Sequence, residues 1–110
     1  MTTPPRSPLG PNGIEYVIVE NEERSRFELI VSDAVAGFCE FEWETDAFGD
    51  VVVLPHTVID PSMRGHGFAG ILVRHVLDDL GGRDARVEAR CWFVAEFIAA
   101  HPEYRPLLGT

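Results

Sequence analysis

The chain has 110 residues, 45% of them hydrophobic, and carries a formal net charge of -9. That length suits one domain, with enough apolar residues to fill one core without disulfide or metal staples. Nine basic against eighteen acidic residues exclude a general nucleic-acid surface, because clustered basic groups make the phosphate contacts.

Residues 1–13, MTTPPRSPLGPNG, lack the apolar segment of a secretory signal and are expected to form a flexible N-terminal tail before a domain at 14–106. No apolar run approaches about 18 residues, so no membrane span is expected. Ile14–Val19 and Arg26–Val31 are short strand candidates, joined by the polar connector ENEERS. In VAGFCEFEWE, Cys39, Phe41 and Trp43 alternate with Glu40, Glu42 and Glu44, which predicts one antiparallel strand with a buried and a wet face. VVVLPHTVI differs: its unbroken apolar start suits a strand covered on both sides, and Pro55 removes a ladder donor within it. A bend is therefore expected at Leu54–His56.

After DPSMRGHG the period changes. Phe68, Ala69, Leu72, Val73, Val76, Leu77 and Leu80 recur at three- and four-residue spacing, with Arg74, His75, Asp78 and Asp79 opposite, which predicts an amphipathic helix stopped by Gly81 and Gly82. DARVEARC alternates again, with Ala85, Val87, Ala89 and Cys91 on one face. A last helix, Trp92–Ala100, ends before Pro102. Residues 51–59 and 84–91 should pair in parallel through the intervening helix, by a right-handed crossover. Cys39 and Cys91 lack CxxC spacing, so they point to a reduced, cytoplasmic protein without a metal site.

The loop MRGHGFAG thus lies between a buried strand and a helix start. A helix N-terminus exposes unpartnered amides and the positive end of the dipole, and Gly65 and Gly67 let a backbone approach an anion closely. Arg64 adds a forked donor suited to phosphate oxygens. The same glycines also suit a tight turn with no ligand, and the residues alone leave both readings open. The chain has no lysine and the loop no GK[ST] ending, so a P-loop is excluded; RGHGFAG is also a poor Rossmann fingerprint.

RGHGFA resembles the Arg-x-x-Gly-x-Gly/Ala loop of the GCN5-related N-acetyltransferases, with Arg64, Gly67 and Ala69 in place. LPHTVIDPSMRGHGFAGILVRHVLDD together with CWFVAEFIAAHPEY is similar to a small, single-domain, acetyltransferase-like group of that superfamily. The resemblance runs over about residues 14–105. It implies an α+β fold: a trimmed acyl-CoA N-acyltransferase fold with a mixed twisted sheet, one strand-helix-strand crossover and a C-terminal helix. It also implies acetyl-CoA or CoA as the bound cofactor, held by Thr57, Val58, Arg64, Gly65, His66, Gly67, Phe68, Ala69 and Gly70. In such folds the two parallel strands splay and the acyl chain enters between them.

Transfer to an amine needs a base, an oxyanion donor and an acid for the leaving thiolate. His56 and Glu88 are the candidate bases, each equally explicable as a structural residue. Cys91 is the candidate nucleophile, because it precedes a helix N-terminus, and it is also explicable as core. The resemblance adds that Trp92 stands where the group often has proline, and Phe97 near where related transferases often carry tyrosine. The expected partners are acyl-CoA and a small amine or peptide, with neither nucleic acid nor membrane; twelve acids against two arginines in residues 15–60 favour a cationic acceptor. An inactive CoA-binding module and an interaction domain are the alternatives, and the sequence leaves open the acyl length and whether the chain is a monomer or a homodimer.

Overall fold

The computed structural model describes residues 10–109. Within them, strands and helices follow in the order β1 (Val17–Asn21), β2 (Arg26–Val31), β3 (Ala34–Glu40), β4 (Glu42–Asp46), β5 (Gly49–Leu54), β6 (Thr57–Ile59), α1 (Phe68–Gly81), β7 (Arg86–Ala89) and α2 (Trp92–Ala100). Short 3-10 segments occupy Pro11–Gly13, Pro61–Met63 and Pro102–Leu108. Of the segment expected to be a tail, residues 1–9 lie outside the described residues, and Pro11–Gly13 forms one turn.

The strands form two sheets. One is antiparallel in the order β1-β2-β3-β6; the other is β4-β5-β7, with β5 antiparallel to β4 and parallel to β7. A single mixed sheet is the expectation from sequence, and two local breaks divide it. Pro55 has no N–H to give a ladder, so the run 49–59 is interrupted between β5 and β6. Opposite it, the run 34–46 bends at Phe41, whose amide donates to Ser25 O at 3.0 Å. Glu40 N donates to His56 O at 2.9 Å and ties the two bends together.

The bend at Phe41 also corrects the expected buried face. Cys39 is 0% and Phe41 6% exposed, whereas Trp43, placed with them by alternation, is 45% exposed. Helix α1 packs on β2, β3 and β6, while β4 is the outer edge of the other sheet and exposed along its length. Alternation therefore continues through Trp43, which shares a face with its buried partner Val52, but on the edge strand it lies beyond the cover that buries Val52 and Val87.

The helix predicted over Phe68–Leu80 spans Phe68–Gly81 and buries Phe68, Leu72, Val73, Val76, Leu77 and Leu80. This face meets Phe27, Leu29 and Cys39 of one sheet and Val52, Leu54 and Val87 of the other, with Val94 and Ile98 of α2, in a single core. Beyond Pro102 the chain makes a 3-10 segment that the sequence reading does not foresee. Its Tyr104 hydroxyl donates to Asp78 Oδ1 at 2.7 Å and accepts from Arg74 Nη1 at 3.2 Å, which latches the segment to α1. No helix among the described residues is long and apolar enough to cross a membrane.

Candidate functional site

The break at Pro55 creates the site. The β5–β7 ladder runs from Val51 opposite Arg86 to Leu54 opposite Ala89, and Cys91 N then donates to Leu54 O at 2.8 Å. Past Pro55 the neighbours part, because β6 pairs with β3 and is the edge of its own sheet. This leaves a gap in the backbone pairing between β6 and Cys91 at the start of α2.

That edge carries free hydrogen-bonding groups. Bonded and non-bonded pairs alternate in an antiparallel ladder. The bonds from Glu40 N to His56 O (2.9 Å) and from Asp60 N to Ala36 O (2.8 Å) set the phase, so Thr57 and Ile59 turn their peptide groups away from β3. Neither the Thr57 nor the Ile59 N–H has an acceptor among the described residues. The outward Ile59 carbonyl accepts from Arg64 Nε at 3.1 Å. Arg64 thereby closes the far end of the edge.

The glycine loop follows at once. Asp60 Oδ1 accepts from Ser62 Oγ at 2.6 Å and Ser62 N at 2.9 Å, which fixes the Pro61–Met63 turn. The Ser62 hydroxyl, then its amide, hold the Asp60 carboxyl below the usual carboxylate range. Gly65 and Gly67 have φ of 84° and 79°, the left-handed region where a Cβ is strained. A Cβ on either would still meet no atom within 4 Å, so these glycines border open space. The amides of Gly65 to Gly70 have no acceptor among the described residues, as the first turn of a helix requires. A cleft of about 110 Å³ lies between this loop and the β6 edge, lined by Ile59, Met63, Arg64, Gly65, Gly67, Phe68 and Ala69. An anion fits here on two counts: unpaired donors converge, and no side chain fills the space. His66 Nδ1 lies 2.7 Å from Asn12 Nδ2, which brings the Pro11–Gly13 turn against the loop.

Cys91 lies across the gap from β6, half-buried, with its thiol donating to Thr57 Oγ1 at 3.7 Å. Thr57 in turn donates to Cys39 Sγ at 3.6 Å. Burial pushes the Cys39 thiol up to about 11, so it stays protonated at neutral pH. The structure thus brings Cys91 and Thr57 together. His56 is exposed on the connection between β5 and β6, and its ring has no hydrogen-bond partner among the described residues. Glu88 is held elsewhere: strand alternation puts it on the face of β7 opposite Val87, exposed and paired with Arg90 at 2.8 Å. Phe68 is buried in the core with its ring centroid 6.4 Å from that of His66, and the Val58 side chain is exposed on the open sheet face.

A family model described as GCN5-related N-acetyl-transferase matches residues 26–107. The chain belongs to the GCN5-related N-acetyltransferase family. The matched span contains both sheets except β1, the glycine loop, both helices and most of the 3-10 segment after them. Membership of this acetyltransferase family carries a general acetyltransferase-like function and a mixed α+β fold of the kind that binds acyl-CoA. No curated protein matches the chain. In this member of the family, sequence reasoning missed Cys39 and Asn12 as neighbours of the site. Cys39 reads as one more inward residue of an alternating strand, and only the pairing of Cys39 with Thr57 brings it near Cys91. Asn12 precedes a glycine, a turn signal, but its contact is set by tertiary packing.

Proposed function

We propose that the protein is an acyl-CoA dependent N-acetyltransferase acting on a small amine or peptide. The observation that carries this is the open β6 edge, with the free Thr57 and Ile59 amides, running directly into the unpaired amides of Gly65 to Gly70. An extended chain bearing its own amides can pair with such an edge as an added strand would, and a pyrophosphate suits a helix start with the dipole behind it. On this reading the chain has the family's acyl-CoA fold trimmed to one strand-helix-strand crossover and a C-terminal helix. Bound acetyl-CoA supplies an activated thioester at the gap beside Cys91.

Cys91 is the positioned nucleophile and His56 the exposed base. Sγ forms a bond to the acyl carbon as the bond from that carbon to the CoA sulfur breaks, and the thiol proton leaves with CoA. The acceptor nitrogen then takes the acyl group, its C–N bond forming as the bond to Sγ breaks. His56 takes the proton lost from nitrogen and passes it to Cys91, which returns to the thiol. The net reaction is amine plus acetyl-CoA to amide plus CoA. Glu42 on β4 and Glu88 on β7, both exposed, stand on either side of the buried Val53, and these two carboxylates favour a cationic acceptor.

Calorimetric titration with CoA tests the binding step. Gly65→Ala and Gly67→Ala should each weaken CoA by about tenfold or more, because a Cβ enters the space that borders the loop. Gly49→Ala is the control: it has φ of 113° and equally open surroundings in the β4–β5 turn, so it is strained without touching the site. Its CoA affinity should match the wild type. Absence of CoA binding by folded protein at near-millimolar ligand would end the proposal. Mass spectrometry after incubation with acetyl-CoA tests the route, an acetyl adduct lost in Cys91→Ser supporting the thiol. Amine-dependent CoA release with no adduct would replace it by direct attack of the amine.

A further inference from the structure

We propose that Thr57 is a positioning residue for Cys91, its single hydroxyl proton shared between two sulfurs so that Cys91, and not Cys39, is the reactive thiol. The inference rests on the use of Cys91 in the function proposed above. Its geometry is a chain of three contacts: Cys91 Sγ to Thr57 Oγ1 at 3.7 Å, Thr57 Oγ1 to Cys39 Sγ at 3.6 Å, and Cys39 Sγ to Glu40 O at 3.9 Å. A hydroxyl has one proton to give and lone pairs with which to accept. While Cys91 is a thiol, Thr57 gives its proton to Cys39 and accepts from Cys91. When Cys91 loses its proton, the same hydroxyl turns and donates to the thiolate.

Cys39 can spare that donor. It is fully buried, stays protonated, and keeps its own contact with the Glu40 carbonyl. The charges nearest along the chain do not compete: Glu88 and Arg90 pair with each other on the other face of β7, with Glu44 beyond them. His56 is exposed and Glu40 only half-buried, both on the segments that flank Thr57. Thr57 is therefore the polar side chain that meets Cys91 Sγ among the described residues.

The test is alkylation of the reduced full chain by iodoacetamide at neutral pH, followed by peptide mapping. Wild type should be alkylated at Cys91 and not at Cys39. Thr57→Val, which keeps the shape and loses the hydroxyl, should slow Cys91 by about three- to tenfold, the equivalent of one ordinary hydrogen bond. Thr57→Ser should restore the rate, a rescue that a packing role would not produce. Cys39→Ala should leave Cys91 at least as reactive. Thr57→Ala is a second hydroxyl-free variant should the valine fail to fold, with thermal melts confirming the folded state. Wild-type rates in the folded hydroxyl-free variants, a serine variant as slow as valine, or first alkylation at Cys39 would each overturn the proposal. Alkylation needs no CoA, so this result and the CoA titration fail independently.

Discussion

Cys39 and Cys91 are the same side chain in two settings, and the difference is one of access. Cys39 is sealed under α1 and its thiol is pushed up to about 11 by burial, whereas Cys91 stands at the mouth of a gap. A raised value has a definite sign in stability. The unfolded chain begins to lose this proton near 9.0, while the folded protein holds it to about 11. The stabilisation from keeping Cys39 neutral is complete below pH 9 and is lost as pH rises through that window, by on the order of 2–3 kcal/mol. Urea denaturation at several pH values should therefore show wild type weakening between pH 9 and 11. Cys39→Ala should start lower, by about 1–2 kcal/mol for lost packing, and fall less steeply over the same range. Parallel pH profiles for the two proteins would show that Cys39 ionises as freely folded as unfolded.

At the level of elements, the site depends on how closely β3 approaches β6. Gly37 sits opposite Ile59, and a Cβ there would meet Val58 O and Ile59 Cδ1 at 2.7 Å each. One of these is backbone and cannot swing aside. Gly37→Ala should push β6 off β3, lower stability by about 1–3 kcal/mol, and weaken CoA in step, as thermal melts and calorimetry on the same sample would register. Wild-type CoA affinity in a destabilised Gly37→Ala would detach the edge from binding. Elements with a strong period were legible in sequence: β2 spans Arg26–Val31, α2 spans Trp92–Ala100, and α1 begins at Phe68, all as their patterns predict. The bend at Phe41 was not legible, because alternation passes through Trp43 without a break and nothing local says where cover ends. The 3-10 segment Pro102–Leu108 was hidden by its prolines, which rule out an ordinary helix but not a tighter one. The loop glycines and the break at Pro55 were legible because each follows from one residue's backbone chemistry. The opposition of Thr57 to Cys39 was not, since strand register is a property of the folded pair.

The molecule as a whole is one core under two sheets that share no ladder past Pro55. Helix α1 spans both, which makes them one cooperative unit, yet among the described residues the β6 edge has no strand to pair with. A ligand that pairs with β6 would complete the first sheet, and its binding energy would appear as folding stability. At a hundredfold excess over Kd that linkage is worth about 2.7 kcal/mol. Its location is more informative than its size. In the free protein the Thr57 and Ile59 amides have no acceptor among the described residues, although the Ile59 side chain is buried, so both should exchange with deuterium rapidly. The Val58 amide, which faces β3 between them, should be slow with or without ligand. Saturating CoA should slow Thr57 and Ile59, together with Gly67 to Gly70 at the helix start, and leave the β1–β2 ladder unchanged. Residue-resolved exchange by NMR would separate this pattern from general tightening, in which Val58 and β1 slow by the same factor. Protection confined to the glycine loop would place the anion there while removing the strand-like pairing on β6. Equal rates at all of these amides, with CoA bound by calorimetry, would put the ligand on another surface altogether.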